Sequence, residues 1–193
     1  MNLRARAALG RAVLRYRFLG IRTPIAIAWL VTGRCTACRS YCRWKSERDT
    51  NELGTTAALE LIEEMAEAGV LMISFTGGEP LLRDDIGLLI HRVKSKGIVC
   101  KLNTNGDLVL RRIDSLRSLD LLQISLDGPA KLHDPLRGRG SADRASNAVR
   151  RAHQEGIPVQ VITCLTRYNL DRLDEVLAYA KALDVRLHVQ PLA

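Results

Sequence analysis

The stretch "LMISFTGGEP" (residues 71–80) places a run of apolar and β-branched residues directly before two glycines, an acid and a proline. Such a run is typical of a buried strand, and glycine and proline mark the turn that ends it. A helical pattern follows in "DDIGLLIHRVKSKG" (84–97), which opens with acids and closes with Lys94, Lys96 and Gly97. The stretch therefore predicts one unit of strand, polar loop and helix.

The same unit recurs along the chain. Apolar runs predict five further strands, at 25–32, 98–104, 121–126, 159–165 and 186–190, and helical patterns fill 55–69, 110–119, 141–156 and 169–183. Repeated strand–helix units indicate a parallel sheet with right-handed crossovers. Six strands and five helices fall short of the eight units of a full barrel. We therefore predict an α/β fold, a partial parallel (β/α)6-type TIM-like barrel over 25–193, with a flat doubly wound sheet as the alternative.

The positive charge of the chain is concentrated at its start. Residues 1–48 hold 11 of the 29 lysine and arginine residues and one acid, Glu47. Residues 1–24 are predicted to form a basic amphipathic helix, which is either a solvated flank of the core or a docking segment for an acidic protein or an anionic membrane surface. Nucleic acid is not expected as a partner, because only 4% of residues are aromatic and no recognition motif occurs.

Three of the five cysteines stand within eight residues, in "CTACRSYC" (35–42). An odd and crowded set argues against a secreted disulfide framework and favours metal or redox chemistry in a reducing compartment. No apolar run is long enough to span a bilayer. The sequence therefore predicts a cytoplasmic protein without a transmembrane segment.

Polar side chains occupy one face of two predicted strands. Alternation places Lys101, Asn103 and Asn105 together on the third strand, and Gln123, Ser125 and Asp127 together on the fourth. Burying such groups without partners costs roughly 1–3 kcal/mol each. Either a polar ligand satisfies them, or they bond to one another and to trapped water.

Four motifs follow the first four strands and would lie at one end of the sheet. They are the cysteine loop with Tyr41 before Cys42, "GGEP" (77–80), "TNG" (104–106) and "SLDGPAKLHDPLRG" (125–138). With these motifs, residues 25–193 resemble the core of a radical S-adenosylmethionine (radical SAM) enzyme, in the branch of SPASM-type and cofactor-maturing enzymes. By that resemblance the chain would be truncated after the sixth strand, and a partner chain could cover the open edge of the barrel.

The resemblance implies the cofactors and the site. Cys35, Cys38 and Cys42 would hold a 4Fe–4S cluster that reductively cleaves S-adenosylmethionine (SAM), and the resulting 5′-deoxyadenosyl radical would abstract hydrogen from a peptide or cofactor-precursor substrate. The expected SAM contacts are Tyr41, Thr76, Gly77, Gly78, Glu79, Asn103, Ser125 and Arg137. The basic N-terminal segment could receive an acidic electron donor such as a flavodoxin or ferredoxin.

The cysteine spacing departs from the family pattern. The usual order is C-x3-C-x2-C, whereas this chain has C-x2-C-x3-C, so the middle thiol is Cys38 and the family position holds Arg39. Three thiolates suit an iron–sulfur cluster with one open iron, whereas structural zinc generally wants four protein ligands. A catalytically silent module that binds SAM or a partner is the alternative function. Cys100 and Cys164, within strands, are predicted to be small buried apolar residues.

Overall fold

The computed structural model describes residues 10, 13, 14, 16–20, 24–37 and 52–191. Its centre is one sheet of six parallel strands, which lie side by side in the order in which they occur along the chain. The strands are β1 (Ala26–Thr32), β2 (Met72–Gly77), β3 (Val99–Thr104), β4 (Leu121–Ser125), β5 (Val159–Leu165) and β6 (Arg186–Pro191). All six predicted strands are confirmed, with ends that differ by one residue at most.

Six helices accompany the strands between residues 52 and 191. They are α1 (Thr55–Glu67), α2 (Ile86–Ser95), α3 (Val109–Leu116), α4 (Ala130–Arg137), α5 (Ser141–Gln154) and α6 (Leu173–Ala182), with short 3-10 turns at Pro80–Leu82 and Leu170–Arg172. The prediction of five helices missed α4. This helix begins after Pro129 and contains Pro135, which sequence reasoning takes as a breaker. Pro135 is the sixth of the eight residues and lacks the N–H that would bond to the carbonyl of Lys131, and the helix ends shortly afterwards at Arg137.

The two faces of the sheet differ in burial. Side chains such as Phe75, Leu102 and Ile124 are fully buried and pack with the helices in the hydrophobic core. Their neighbours along the strands, such as Asn103 and Gln123, are half-buried. We call these the core face and the open face. The alternation predicted for β3 and β4 is confirmed as far as the strands extend.

The strand order distinguishes the two predicted architectures. A doubly wound sheet reverses its strand order at a switch point, whereas β1 to β6 run in unbroken sequence. The arrangement is that of a partial barrel, as predicted, with β1 and β6 at the two edges of the sheet. All carboxyl ends of the strands lie at one end of this sheet, where the four motifs were expected.

The predicted basic helix at 1–24 falls mostly outside the described residues. Of this segment, residues 10, 13, 14 and 16–19 are helical, and Gly20 donates its N–H to the carbonyl of Tyr16. The described side chains here are exposed, including large apolar ones such as Phe18 and Leu19. Among the helices that the structure describes, none is both long and apolar enough to cross a membrane.

Candidate functional site

The two glycines that end β2 lie against the start of the cysteine loop. The N–H of Gly78 donates to the carbonyl of Thr32, and the N–H of Glu79 donates to the carbonyl of Arg34, both at 2.8 Å. A Cβ atom on Gly78 would lie 2.1 Å from the Arg34 oxygen, and one on Gly77 would lie 2.5 Å from the Thr32 oxygen. The sequence suggested that these glycines admit a ligand. In the structure, the atoms that approach them are the protein's own backbone.

Both ends of the cysteine loop are held by one buried arginine. Arg83 donates from Nη1 to the carbonyls of Val31 and Leu53, at 3.1 and 3.0 Å. Its other nitrogens form a bidentate pair with Asp85, at 2.8 and 2.6 Å. A planar guanidinium suits such a fork, and the pair leaves Nη1 for the two carbonyls. The loop therefore leaves and rejoins the described structure at fixed points, and Glu52 at its return bonds to both Thr32 and Arg34.

Cys35 is the one loop cysteine within the described residues; Cys38, Tyr41 and Cys42 lie outside them. Its side chain is exposed, and the N–H of Ala37 donates to its Sγ at 3.4 Å. The thiolate is the form of cysteine that binds metal.

Thr36, the next residue, ties the loop to the end of β3. Its hydroxyl donates to Asp107 at 3.2 Å and accepts from the side-chain amide of Asn105 at 2.9 Å. Asp107 also accepts from Arg144 of α5 at 2.7 Å. Cys35 therefore stands between a backbone anchor on one side and this polar anchor on the other. Sequence reasoning missed Thr36, Asp107 and Arg144, although the "TNGD" turn was a usable signal.

Glu79 points into the protein. Its fully buried carboxylate accepts from the N–H groups of Leu81 and Asn105, at 3.1 and 2.9 Å, and from the hydroxyl of Thr104 at 2.8 Å. Burial raises the pKa of Glu79 to about 7, against the opposing effect of these three donors, and the charge of Asp107 adds to the rise. The carboxylate links the ends of β2 and β3.

Three further predicted residues lie near the carboxyl ends of adjacent strands. Thr76, Asn103 and Ser125 are half-buried on β2, β3 and β4. The Oδ1 atom of Asn103 is buried and has no hydrogen-bond partner among the described residues. An unsatisfied buried acceptor is costly, so the site fits a ligand that supplies a donor, as the amino and hydroxyl groups of SAM would.

Asp127 is not on the open face, contrary to the prediction. The strand β4 ends at Ser125, and the chain then turns through Gly128 at φ 121°, so the alternation stops two residues before Asp127. Asp127 is 1% exposed, forms an ion pair with Arg137 of α4 and accepts from the N–H of Cys164 at 3.1 Å. Its own N–H donates to Nδ1 of His133 at 2.9 Å.

This arrangement gives Arg137 a protein partner. Its Nε bonds to Asp127, and the pair joins α4 to the ends of β4 and β5. Sequence reasoning had assigned Arg137 to SAM and had not recognised the partner. Asp127 and Arg137 are ten positions apart, and no sequence pattern pairs them.

The two cysteines outside the loop differ from each other. Cys100 is fully buried, and burial raises the pKa of its thiol to about 12, which agrees with the predicted apolar role. Cys164 is half-buried on the open face, where its Sγ accepts from Gln190 at 3.3 Å. Cys164 is therefore less buried than predicted.

Comparison with known proteins defines the class. The Radical SAM superfamily profile matches residues 31–180, which is most of the chain. The chain therefore belongs to the radical SAM superfamily, whose cofactors are a 4Fe–4S cluster and SAM. The described residues place Cys35 and the first residues of the three later motifs at the carboxyl ends of β1 to β4.

Two curated members of the superfamily are similar to this chain in sequence. The chain is 31% identical over 179 residues to the mycofactocin maturase MftC of Mycolicibacterium smegmatis, covering 90% of this chain and 46% of that protein. It is 34% identical over 157 residues to the AdoMet-dependent heme synthase of Oleidesulfovibrio alaskensis, covering 78% and 40%. The chain thus spans a little under half the length of the curated relatives that it matches.

Solved structures share the fold. Streptococcus suis SuiB bound to S-adenosylmethionine superposes with a TM-score of 0.81 at 19% identity, over 95% of this chain and 44% of that one. Native anSMEcpe with bound AdoMet and the Kp18Cys peptide superposes with a TM-score of 0.77 at 19% identity, over 88% of this chain and 52% of that one. These two structures confirm the partial-barrel fold.

Proposed function

We propose that this chain is the catalytic core of a radical SAM enzyme that acts on a peptide or a cofactor precursor. Cys35, Cys38 and Cys42 would hold the 4Fe–4S cluster. When bound and reduced, the cluster would cleave SAM to methionine and a 5′-deoxyadenosyl radical that abstracts a substrate hydrogen. The observation that carries the proposal is the double anchoring of Cys35, by the backbone of Gly78 and Glu79 and by Thr36 against the end of β3.

The residues of the chain divide into ligands and supports. Thr76, Asn103 and Ser125 would contact SAM directly, with Asn103 Oδ1 as the acceptor that needs a donor. The backbone of Gly77 and Gly78 would border the same space, and Tyr41 would lie near the adenine. Each of these assignments follows the family motif that the residue matches.

Glu79 and Asp127 are proposed as positioning residues. Glu79 holds the ends of β2 and β3 in register through its three donors. Asp127 fixes the guanidinium of Arg137 beside the end of β4, where we propose the carboxylate of SAM as the ligand of Arg137. These two buried carboxylates would therefore position the residues that line the SAM site without contacting SAM themselves.

A catalytically silent module is the second candidate, and the displaced middle cysteine favours it. If Cys38 cannot reach the position that the family ligand occupies, the scaffold could still bind SAM or a protein partner. Calorimetry separates the two candidates. SAM binding that requires the cluster supports the enzyme, whereas SAM binding that is indifferent to iron supports the module.

Two protein partners complete the proposal. An acidic electron donor such as a flavodoxin or ferredoxin would dock at the basic segment 1–24, because electrostatic steering favours opposite charge. A partner chain could cover the edge at β6, where Val189 is 37% exposed. We also propose that the protein acts in the cytoplasm, where the cysteines stay reduced.

The product of SAM cleavage provides the direct test of function. Anaerobically reconstituted protein with SAM and dithionite should form 5′-deoxyadenosine well above a no-protein control, and Cys35→Ala should reduce this to the background. Cys164→Ala removes a thiol outside the loop and should retain most of the product. Wild type that forms no 5′-deoxyadenosine, or Cys35→Ala that forms as much as wild type, would overturn the proposal.

A further inference from the structure

The strands carry positive charge on the open face and contain no acidic residue. Lys101 of β3 and Arg186 of β6 both lie on this face, because Leu102 and Leu187 beside them pack against the core. Within residues 24–37 and 52–191, neither side chain has a hydrogen bond or an ion pair. Two cations on one sheet face, neither of them held in an ion pair, favour an anionic occupant.

A row of amides leads across the sheet to Arg186 from β3, the strand that carries Lys101. Asn103 pairs in register with Gln123, Gln123 with Gln160, and Gln160 with Arg186, so one continuous polar row crosses β3 to β6. Lys101 lies on the same face as Asn103, two residues earlier on β3. With strands about 4.8 Å apart, the row spans about 14 Å, which exceeds the size of one carboxylate and suits an extended ligand.

The row begins at the proposed SAM site and leads away from it. Asn103 is one of the expected SAM contacts, whereas Gln160 and Arg186 lie near the amino-terminal ends of β5 and β6. A ligand along this row would therefore reach from the region of SAM towards the far part of the sheet. That is the position a substrate needs if the radical formed at the SAM site is to reach it.

We propose that the row from Gln123 to Arg186 binds a carboxylate-bearing substrate. Lys101 and Arg186 would supply the positive charge, and the amides of Gln123 and Gln160 would donate and accept hydrogen bonds along the ligand. The inference rests on the proposed function, since it concerns the substrate of that same site. It selects, from peptides and cofactor precursors, those that present a carboxylate to this face.

Matched pairs of probes test the charge requirement. The probes are succinate against succinamide, and acetyl-trialanine with a free carboxyl terminus against its carboxyl-terminal amide, each titrated in the presence of SAM. The readout is the NMR signal of the side-chain amides of Gln123 and Gln160, which reports on this face and needs no turnover. We expect at least one acid to bind about tenfold more tightly than its amide, as charge-assisted hydrogen bonds do.

Variants assign the effect to the two cations. Lys101→Met and Arg186→Gln should each weaken binding of the preferred acid by about five- to tenfold. Arg111→Gln, an exposed arginine on α3 across the core from this face, changes the net charge equally and should leave binding unchanged. If neither acid is preferred over its amide, or if Arg111→Gln weakens binding as much as the other two variants, the inference is wrong.

The two pairs of probes also identify the source of the carboxylate. Preference for the peptide acid alone indicates a peptide substrate, and preference for succinate indicates a small molecule. Failure of the proposed function looks different. Protein that binds an acid more tightly than its amide but forms no 5′-deoxyadenosine would support the carboxylate site and contradict the radical chemistry. Protein that forms 5′-deoxyadenosine but binds acid and amide equally would contradict the carboxylate site alone.

Discussion

Replacing Gly78 by alanine should detach the start of the cysteine loop from the end of β2. The added Cβ would lie 2.1 Å from the Arg34 carbonyl oxygen, so the two backbone segments must separate and lose their paired hydrogen bonds. Overpacking against backbone together with two lost hydrogen bonds should lower the free energy of unfolding by about 3 kcal/mol. Because Cys35 follows directly, iron content after reconstitution should fall by more than half. Urea unfolding and iron analysis measure the two effects.

Gly54→Ala is the matched control for this substitution. Gly54 precedes α1 with φ −62° and ψ 164°, which alanine adopts without strain, and a Cβ there meets no atom within 4 Å. The cost should stay below about 1 kcal/mol, the size of a weakened helix cap, with iron content unchanged. Equal effects of the two substitutions would show that the contact of Gly78 with the loop is unimportant.

Replacing Glu79 by glutamine should change how stability depends on pH. The pKa of Glu79 is raised from 4.5 to about 7 in the folded protein, so between these values the folded state holds a proton that the unfolded state has released. Wild-type stability therefore contains a contribution that is complete below pH 4.5 and is lost as pH rises through 7. Its size is about 3 kcal/mol, and the glutamine variant lacks it.

Hydrogen bonding adds a cost that does not depend on pH. The N–H groups of Leu81 and Asn105 point at different oxygens of Glu79, and glutamine must offer an NH2 group to one of them. The unsatisfied donor should cost about 1–3 kcal/mol. The variant should therefore be most destabilised, relative to wild type, near pH 4.5 and least above pH 7.

Urea unfolding at pH 4.5, 6 and 8 measures this difference. Glu60→Gln, on the exposed side of α1, is the control and should track wild type at each pH. A stability difference between Glu79→Gln and wild type that is constant across the three values would refute the raised pKa. A stability difference that grows with pH would mean that folding lowers the pKa of Glu79 instead of raising it.

The strands of this fold could be predicted because local sequence determines them. Runs such as "VQVITCL" are apolar and β-branched, and the bounds of β5 are those predicted. The errors occur where local rules compete with tertiary structure. No helix was predicted where α4 forms around Pro135, and the alternation along β4 was extended to Asp127, past the end of the strand at Ser125.

The candidate site, like the fold, could be predicted from the sequence only in part. Motifs such as "GGEP" predict which residues would line it, and the order of the parallel strands brings these motifs to one end of the sheet. Their partners come from distant parts of the chain, since Thr36 bonds to Asp107 and Arg83 to Val31. No local pattern encodes these pairs, so the inward direction of Glu79 and the ion pair of Arg137 could be learned only from the folded chain.

Counting iron and acid-labile sulfide after anaerobic reconstitution tests the central claim most directly, on wild type and on Cys38→Ala. We predict about four irons and four sulfides per wild-type chain, an EPR spectrum of the reduced protein that changes when SAM is added, and loss of both in Cys38→Ala. Wild type without a cluster would contradict the account, because the displaced cysteine would then have abolished the site. A full cluster in Cys38→Ala would contradict the assignment of Cys38 as a ligand.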